Sequence, residues 1–351
     1  MRVSVVLPVR DGGAYLEAAV ASILAQSLRD LELLVVDDGS RDGAVAALAA
    51  LAARDDRLRV LSNPGVGLAA ALNFGLAQAR CALVARMDSD DIALPERLAI
   101  QVAFLDCEPS VAVVGSQVAF IDASGALTGG RTHFPTGPEA VAAALSTRGC
   151  VLKHPSVVAR KDVLLRAGGY RPALAKAEDY DLWLRLSERA RLANLPDVLL
   201  HYRVHPGQIS AGVNLGQRFA HDLALLAART RRAGRPDPFD GVGEALAFDS
   251  LGPAAASMPL SVASIASAYR ALAYFEAMTD AAPSREALAD VVASARQGLL
   301  GDGRRYRAQS LVRCARLAFG RGDWRLAAVA AGLALRMAPA RAARWLMREG
   351  A

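Results

Sequence analysis

The sequence predicts an α/β fold: a mostly parallel central sheet flanked by helices, with an all-α C-terminal extension. Three observations predict it. Short β-branched runs alternate with helical stripes through the first 122 residues, Asp-rich turns close two of those runs, and the composition changes in kind near residue 220. Repeated β-α-β units imply a parallel sheet covered on both faces, and such sheets take ligands at the carboxyl ends of their strands.

Each element has its own signal. VSVVLPV (3–9) is a short buried-strand run, and Leu16, Val20, Ile23 and Leu24 then repeat at helical spacing. LELLVV (31–36) reads as a second strand, 43–53 as a helix, RLRVLS (57–62) as a strand, 68–79 as a helix and ALVARMD (82–88) as a strand. Leu94, Leu98, Val102 and Leu105 form another helical stripe before the strand VAVVGSQVAFID (111–122). The stretch 123–220 is less regular, with Gly- and Pro-rich loops and a Trp-containing helix at 178–190. From about 221 the chain is Ala/Leu/Arg-rich and helical, so the expected domains are 1–220 and 221–351.

Composition narrows the function classes. With 53% hydrophobic and 22% charged residues over 351, the chain is not disordered. Cys81, Cys107, Cys150 and Cys314 form no C-x-x-C pair, which speaks against structural zinc and for a reducing compartment. No apolar stretch reaches about 20 residues, so no transmembrane helix is expected. The first strand run ends in Arg-Asp-Gly-Gly and does not read as a signal peptide, so the expected location is cytoplasmic. The net charge of +6 is uneven: residues 1–220 carry 23 basic and 23 acidic side chains, whereas 221–351 carry 18 and 12.

Chemistry is expected where the acids gather. The second strand ends in Asp37-Asp38-Gly39-Ser40 and the fourth in Asp88-Ser89-Asp90-Asp91. Acids in turns can simply cap the next helix. Three aspartates in four residues repel one another, and a cation is the usual compensation; oxygen ligands suit Mg²⁺ or Mn²⁺ bridging to substrate phosphates. A rival motif is Gly65-Val66-Gly67-Leu68-Ala69-Ala70, which fits the dinucleotide fingerprint G-x-G-x-x-A. It follows the third strand, not the first, and Pro64 adjoins its turn.

Seven segments in order, from about residue 2 to 210, resemble the family 2 glycosyltransferases, inverting GT-A-fold enzymes that use nucleotide sugars. VSVVLPVRDG resembles the opening strand, LELLVVDDGSRDG the nucleotide loop, and NPGVGLAAALNFGLAQAR the N-x-G helix segment. ARMDSDDIALPERLAIQ resembles the D-x-D metal motif with its Pro-x-Arg continuation. CVLKHPSVVARKDVLLRAGGY and AEDYDLWLRL resemble the acceptor-side segment with its Glu-Asp pair, and LHYRVHPGQIS the closing Tyr-Arg-x-His element. The ARMD-x-DD-I and HPSVV variants are similar to the subgroup that builds bacterial surface polysaccharides and exopolysaccharides.

The resemblance implies roles. Pro8, Arg10, Asp37 and Asp38 should border the nucleoside, with Asn63 and Gly67 shaping the same pocket. Asp90 and Asp88 should hold Mn²⁺ or Mg²⁺ on the sugar diphosphate, with His205 completing the metal shell. Asp91 should orient the donor sugar or water, and Arg203 should grip the pyrophosphate in two-pronged fashion. Leu72 stands where the family often has arginine; Arg86 is then either a substitute nucleotide contact or a counter-ion to the aspartates. Inverting transfer is one in-line displacement needing a base for the acceptor hydroxyl, and Asp179, beside Glu178, matches the family's base position. Two acids in a first helical turn would also favour the helix dipole. His154 either touches a substrate or caps a loop, and Trp183 either stacks on sugar or fills the core.

The tail is a separate question. Residues 304–348 hold 11 arginines and one acid, Asp323, with Trp324 and Trp345 among them. GDWRLAAVAAGLALRMAP resembles the second half of a tetratricopeptide unit. The stretch reads as a helical bundle with a solvated arginine face, or as a peripheral contact with anionic membrane at the inner face of the plasma membrane. No recognition module accompanies the charge, so no nucleic-acid partner is expected. The expected partners are a nucleotide-diphosphate sugar and a glycan or lipid-linked acceptor. The alternatives are a sugar-phosphate nucleotidylyltransferase, whose G-G-x-G-T-R loop is absent, an NAD-dependent oxidoreductase, and a non-catalytic helical adaptor.

Overall fold

The computed structural model describes residues 1–63, 67–208, 215–251, 258–275, 283–297 and 303–347. The chain divides into two compact units, Met1–Pro172 with Glu178–Ala211, and Ala173–Ala177 with Gly212–Ala351.

The first unit is built on strands β1 (Val3–Val9), β2 (Leu31–Asp37), β3 (Leu58–Ser62), β4 (Leu83–Arg86), β5 (Ile92–Ala93), β6 (Val111–Ile121), β7 (Leu127–Arg131), β8 (Val158–Arg160) and β9 (Arg191–Arg203). They form one sheet in the order β3-β2-β1-β4-β8-β6-β9-β5, with β7 on β6. Strands β1 to β4 run parallel, as do β6 and β9. Strand β8 is antiparallel to both its neighbours, and β5 and β7 add antiparallel edges. The helices of this unit are α1 (Leu16–Leu24), α2 (Ala44–Ala47), α3 (Ala49–Ala52), α4 (Leu68–Gln78), α5 (Arg97–Cys107), α6 (Pro138–Thr147), α7 (Lys161–Arg166) and α8 (Glu178–Ser187).

Strand alternation puts helices on both faces. Val3, Val5, Leu7 and Val9 of β1 join Leu16, Val20 and Ile23 of α1 and Leu98, Val102 and Leu105 of α5 in one buried cluster. The even positions face α4. At Gly75 a Cβ would stand 2.5 Å from Val6 Cγ1 and 3.1 Å from Val36 Cγ2, so the absent side chain sets how closely α4 can lie on the sheet. In register, Val9 pairs with Asp37 and Asp37 with Ser62, so the parallel strands deliver their carboxyl ends to one edge.

Three expectations change. The single helix at 43–53 is two short ones: Leu48 N–H bonds Val45 O three residues back, a tight turn that separates α2 from α3. Leu94 lies ahead of α5 and only partly buried, although Leu98, Val102 and Leu105 behave as the stripe predicts. The irregular middle contains β7, β8 and β9. Between Gly115↔Asn194 and Gln117↔Val198, β9 carries two extra residues, and Pro196 sits in that bulge. The bulge breaks the period-2 pattern on which recognition of a strand relies.

The second unit is helical: α9 (Leu215–Arg232), α10 (Leu260–Phe275), α11 (Arg285–Arg296), α12 (Gly303–Gly320), α13 (Trp324–Met337) and α14 (Pro339–Met347). Phe219, Phe248 and Tyr269 meet ring to ring at 5.4–6.0 Å, and Tyr269 donates to Asp222 at 2.6 Å. Ser284 caps α11 and Asp323 caps α13. Among the described residues, no helix is long and apolar enough to cross a membrane.

Gly75→Ala should lower unfolding stability by about 1–3 kcal/mol, because the methyl group meets a branched side chain and not solvent. Urea denaturation checks it; an unchanged midpoint would show that α4 lies more loosely on the sheet.

Candidate active site

The ends of β2 and β3 build a rigid cradle. Asp38 is buried; its carboxylate accepts from Asn63 Nδ2 at 2.6 Å and from Gly67 N–H at 3.0 Å, and its own N–H donates to Val9 O at 2.8 Å. Asn63 N–H returns to Asp37 O at 2.8 Å. Asp38, through its carboxylate and its backbone N–H together, therefore ties three strand ends to the start of α4. Gly67, at φ +103°, supplies the left-handed backbone that a side chain would strain. Asp37 is half-buried, and its Oδ1 accepts from Ser40 N–H at 2.9 Å. Pro8 is buried within β1, and Arg10 is exposed just beyond it. The structure thus brings together Asp37, Asp38, Asn63 and Gly67. Pro64, Gly65 and Val66, the core of the dinucleotide-type motif, lie outside the described residues.

The turn after β4 concentrates charge. Asp88, Asp90 and Asp91 each offer a carboxylate oxygen, and these oxygens lie within 4.8 Å of one another, a group that could hold a metal ion. Asp91 is fully buried; its Oδ1 accepts from Arg203 N–H at 2.8 Å, and its Oδ2 has no hydrogen-bond partner. Burial, then Asp88 and Asp90, push Asp91 well above the usual carboxylate range. Burial and Asp88 also raise Asp90, and His205 works against them. Crowded acids held against ionisation, one with an orphaned oxygen, are the donor set that a hard divalent cation stabilises.

Three basic residues surround this turn. Arg86 is buried and ion-paired with Asp88, so it is the counter-ion to the cluster rather than an open nucleotide contact. Arg203 is also buried. Its Nε donates to Asp90 O at 2.8 Å, its Nη1 to Asp122 O and Ala123 O, and its guanidinium stacks 4.5 Å from the Tyr15 ring. Those nitrogens shape the aspartate turn and are not presented as a two-pronged phosphate grip. His205 Nε2 lies 3.0 Å from Asp90 Oδ2, so in this arrangement it steadies a carboxylate rather than facing open space.

Beneath the cluster lies a network whose role the sequence reading missed. Arg97 is fully buried; its Nη2 donates to Arg86 O at 2.7 Å and its Nε to Gln101 Oε1 at 3.1 Å. Gln101 then donates to Ser156 O at 2.7 Å and Val114 O at 3.1 Å. Burial lowers Arg97 to about 9. The available signal was a polar pair at i, i+4 beside the Leu98–Val102–Leu105 stripe.

The acceptor-side segment meets the site through Tyr170. Asn73 holds the Tyr170 backbone by two hydrogen bonds of 2.7 and 2.8 Å, and Tyr170 Oη meets His154 Nε2 at 2.9 Å. Burial, then Arg86 and Lys153, hold His154 well below its usual 6.5, so it is neutral. Its ring packs edge-on against Trp183, which is 1% exposed and therefore core, not a sugar platform. Glu178 is buried at the start of α8 and Asp179 is half-buried beside it. Asp179 Oδ1 accepts from Tyr180 N–H at 2.7 Å, and the Cys150 thiol stands 3.9 Å from Oδ2. Burial pushes the Tyr170 hydroxyl up, Arg86 works against that, and Asp179 and Glu178 add to it.

Comparison with known proteins agrees with this geometry. The model of the family described as Glycosyl transferase family 2 matches residues 4–157. The chain is 30% identical over 207 residues to the O-antigen biosynthesis glycosyltransferase WbnJ of Escherichia coli, covering 58% of this chain and 80% of that one. It is 35% identical over 190 residues to the amylovoran biosynthesis glycosyltransferase AmsE of Erwinia amylovora, covering 54% and 70%. The crystal structure of S. aureus TarS 1–349 in complex with UDP-GlcNAc superposes with a TM-score of 0.54 at 21% identity, covering 85% and 92%. That likeness bears out the expected GT-A fold. Neither the nucleotidylyltransferase nor the NAD-dependent alternative is favoured.

Since folding keeps His154 neutral, below about 6.5 the unfolded chain binds a proton that the folded chain refuses, and stability falls as pH drops through that value. His154→Gln should flatten the fall. Its urea midpoints at about pH 7.5 and about pH 5.5 should differ less than those of the wild type. An equal drop would assign the acid sensitivity to another group.

Proposed function

The chain belongs to glycosyl transferase family 2, and on that premise we propose that it moves a sugar from a nucleotide-diphosphate sugar to a hydroxyl of a glycan or lipid-linked acceptor, with inversion, in the synthesis of a bacterial polysaccharide. A UDP-linked donor is favoured by the likeness to TarS, whose structure holds UDP-GlcNAc. The polysaccharide role is favoured by relatives named for O-antigen and amylovoran biosynthesis. The observation that carries the reading is the meeting of three carboxylates at the end of β4, at the carboxyl edge of the parallel strands that also carries the Asp37–Asp38 turn. The setting for such work is the cytoplasmic side of the envelope, where nucleotide sugars serve as donors.

Asp88 and Asp90 would hold Mn²⁺ or Mg²⁺, with His205 steadying Asp90 and Asp91 buried behind them. Such an ion, when bound, offsets the charge of the departing diphosphate. Asp37, Asp38, Asn63 and Gly67 line the nucleoside side, with Pro8 and Arg10 at its border. Asp179 takes the acceptor hydroxyl proton as the acceptor oxygen bonds to the anomeric carbon. The bond from that carbon to the diphosphate oxygen breaks in the same step, and the nucleoside diphosphate leaves. A single displacement inverts the anomeric centre. The Tyr180 N–H and the Cys150 thiol orient the Asp179 carboxylate for this task.

Purified chain with Mn²⁺ should release UDP from a UDP-sugar, faster with acceptor present. Asp179→Asn should lower kcat by about 10²–10⁴-fold while donor affinity stays within about twofold. Asp90→Asn should instead weaken donor binding and its dependence on Mn²⁺. Retained turnover in Asp179→Asn would remove it as the base, and pyrophosphate exchange or NAD reduction by the wild type would overturn the class.

A further inference from the structure

We propose that the exposed face of α13 is a docking surface for an anionic lipid membrane. The inference rests on the second unit alone and does not depend on the proposed reaction.

A helix in a globular unit normally turns its bulky apolar side chains inward. In α13 that order holds only in part, since Leu326, Leu333 and Met337 are half-buried while other bulky apolar residues stand outside. The buried residues are Ala327, Ala330 and Ala334, whereas Trp324 is 63% exposed, Leu335 38% and Val329 36%. At 3.6 residues per turn, the seven exposed residues of this helix fall within an arc of about 140°. Five of them have no polar group beyond the Trp324 ring nitrogen, two are arginines (Arg325 and Arg336), and none is acidic. Phe319, at the end of α12 and 56% exposed, stacks edge-on against Trp324 at 4.4 Å and extends the patch across two helices. Singly exposed apolar residues are ordinary, but a contiguous group containing two aromatic rings is not.

Charge selects the occupant. Asp323 is the one acid in 304–348; it caps Leu326 N–H and pairs with Arg285 at 2.5 Å, so the patch is left positive. A second copy of this face would set arginine against arginine. Nucleic acid would find an aliphatic centre without hydrogen-bonding side chains. An anionic bilayer satisfies both features: the aromatic rings and Leu335 enter the boundary between headgroups and acyl chains, and Arg325 and Arg336 extend their stems to lipid phosphates. A lipid surface is also where a lipid-linked acceptor would be found.

The full chain should float with vesicles of phosphatidylcholine containing phosphatidylglycerol at about one third of the lipid, and should stay behind with pure phosphatidylcholine. Binding should fall in about 0.5 M salt. The pairs Trp324→Ser with Leu335→Ser, and Arg325→Glu with Arg336→Glu, should each lower partitioning by about tenfold or more while thermal melting and donor hydrolysis in solution stay unchanged. The two pairs replace different exposed side chains, so instability of one leaves the other decisive. Recovery that is equal with and without anionic vesicles, or binding undiminished by the charge reversals, would overturn the proposal. So would a vesicle-free dimer that Trp324→Ser dissolves, since that would make a second copy the occupant.

Discussion

Repulsion among Asp88, Asp90 and Asp91 is the constraint to which much of the first unit responds. Their oxygens lie within 4.8 Å, and one of the three side chains is fully buried. Such a turn would spread apart unless something fixed it. Arg86 neutralises it from the strand that leads in, Arg203 fixes it from β9 through Asp90 O and Asp91 Oδ1, and His205 meets Asp90 from the following residues. Arg97 then holds Arg86 O from below. Two residues of the same local stretch, Arg86 and Arg97, and two from the distant end of β9, Arg203 and His205, therefore hold one turn. Their geometry limits the carboxylates to a small region at the carboxyl edge of the sheet, where burial first, and then Asp88 and Asp90, still raise Asp91.

Two different kinds of holding flank that network. Around Asp38 the holding is neutral or dipolar: Asp38 uses both oxygens on an amide and a backbone N–H, and the cradle is stiff because three strand ends share it. Around Tyr170 the holding is aromatic and neutral. His154 is kept uncharged between Tyr170 and Trp183, so the charge of Arg86 is met by the aspartates and not diluted by a second cation. Asn73 and Tyr170 tie α4 to the loop that precedes α8, so a helix packed on the sheet through Gly75 also fixes where Asp179 begins. Gly169 shares this junction: at φ +66° it lies where a Cβ would come within 2.4 Å of Asn73 Oδ1.

How much was legible depended on whether the signal was local. Strands β1 to β4 and helices α4 and α5 follow from runs and stripes, and the acids at the ends of β2 and β4 follow from the turns that carry them. The later strands did not show themselves. Strand β7 is wholly exposed and so lacks an apolar alternation, β8 has three residues, and β9 hides its period behind the Pro196 bulge. The site residues divided in the same way. Motif spacing brings out Asp38, Asn63, Asp88 and Asp90, but the partner of a long basic side chain is a tertiary fact. Arg203 therefore read as a substrate contact from the sequence, whereas its nitrogens bond within the fold, and Arg86, open between substrate contact and counter-ion, pairs with Asp88. Trp183 is similar: its helix stripe allowed either face, and only burial decides.

The two units handle surplus charge in opposite ways. Through residue 220, 23 basic and 23 acidic residues cancel, and in the first unit the acids matter because a few of them are forced together and buried. In the second, the arginines are not gathered into a core. Along α13 the interior is filled by alanine, whose small side chain lets helices approach closely but removes little apolar area from water. Leu326, Leu333 and Met337 are half-buried, and Trp324, Val329 and Leu335 are left outside, beside Arg325 and Arg336. If solubility alone governed that face, acids and uncharged polar groups would be interspersed with the arginines, as they are on most surfaces. Their absence over an arc that contains Trp324, Val329 and Leu335 is the feature on which the proposed membrane contact rests, since a medium that is apolar inside and negatively charged at its boundary would match such a face.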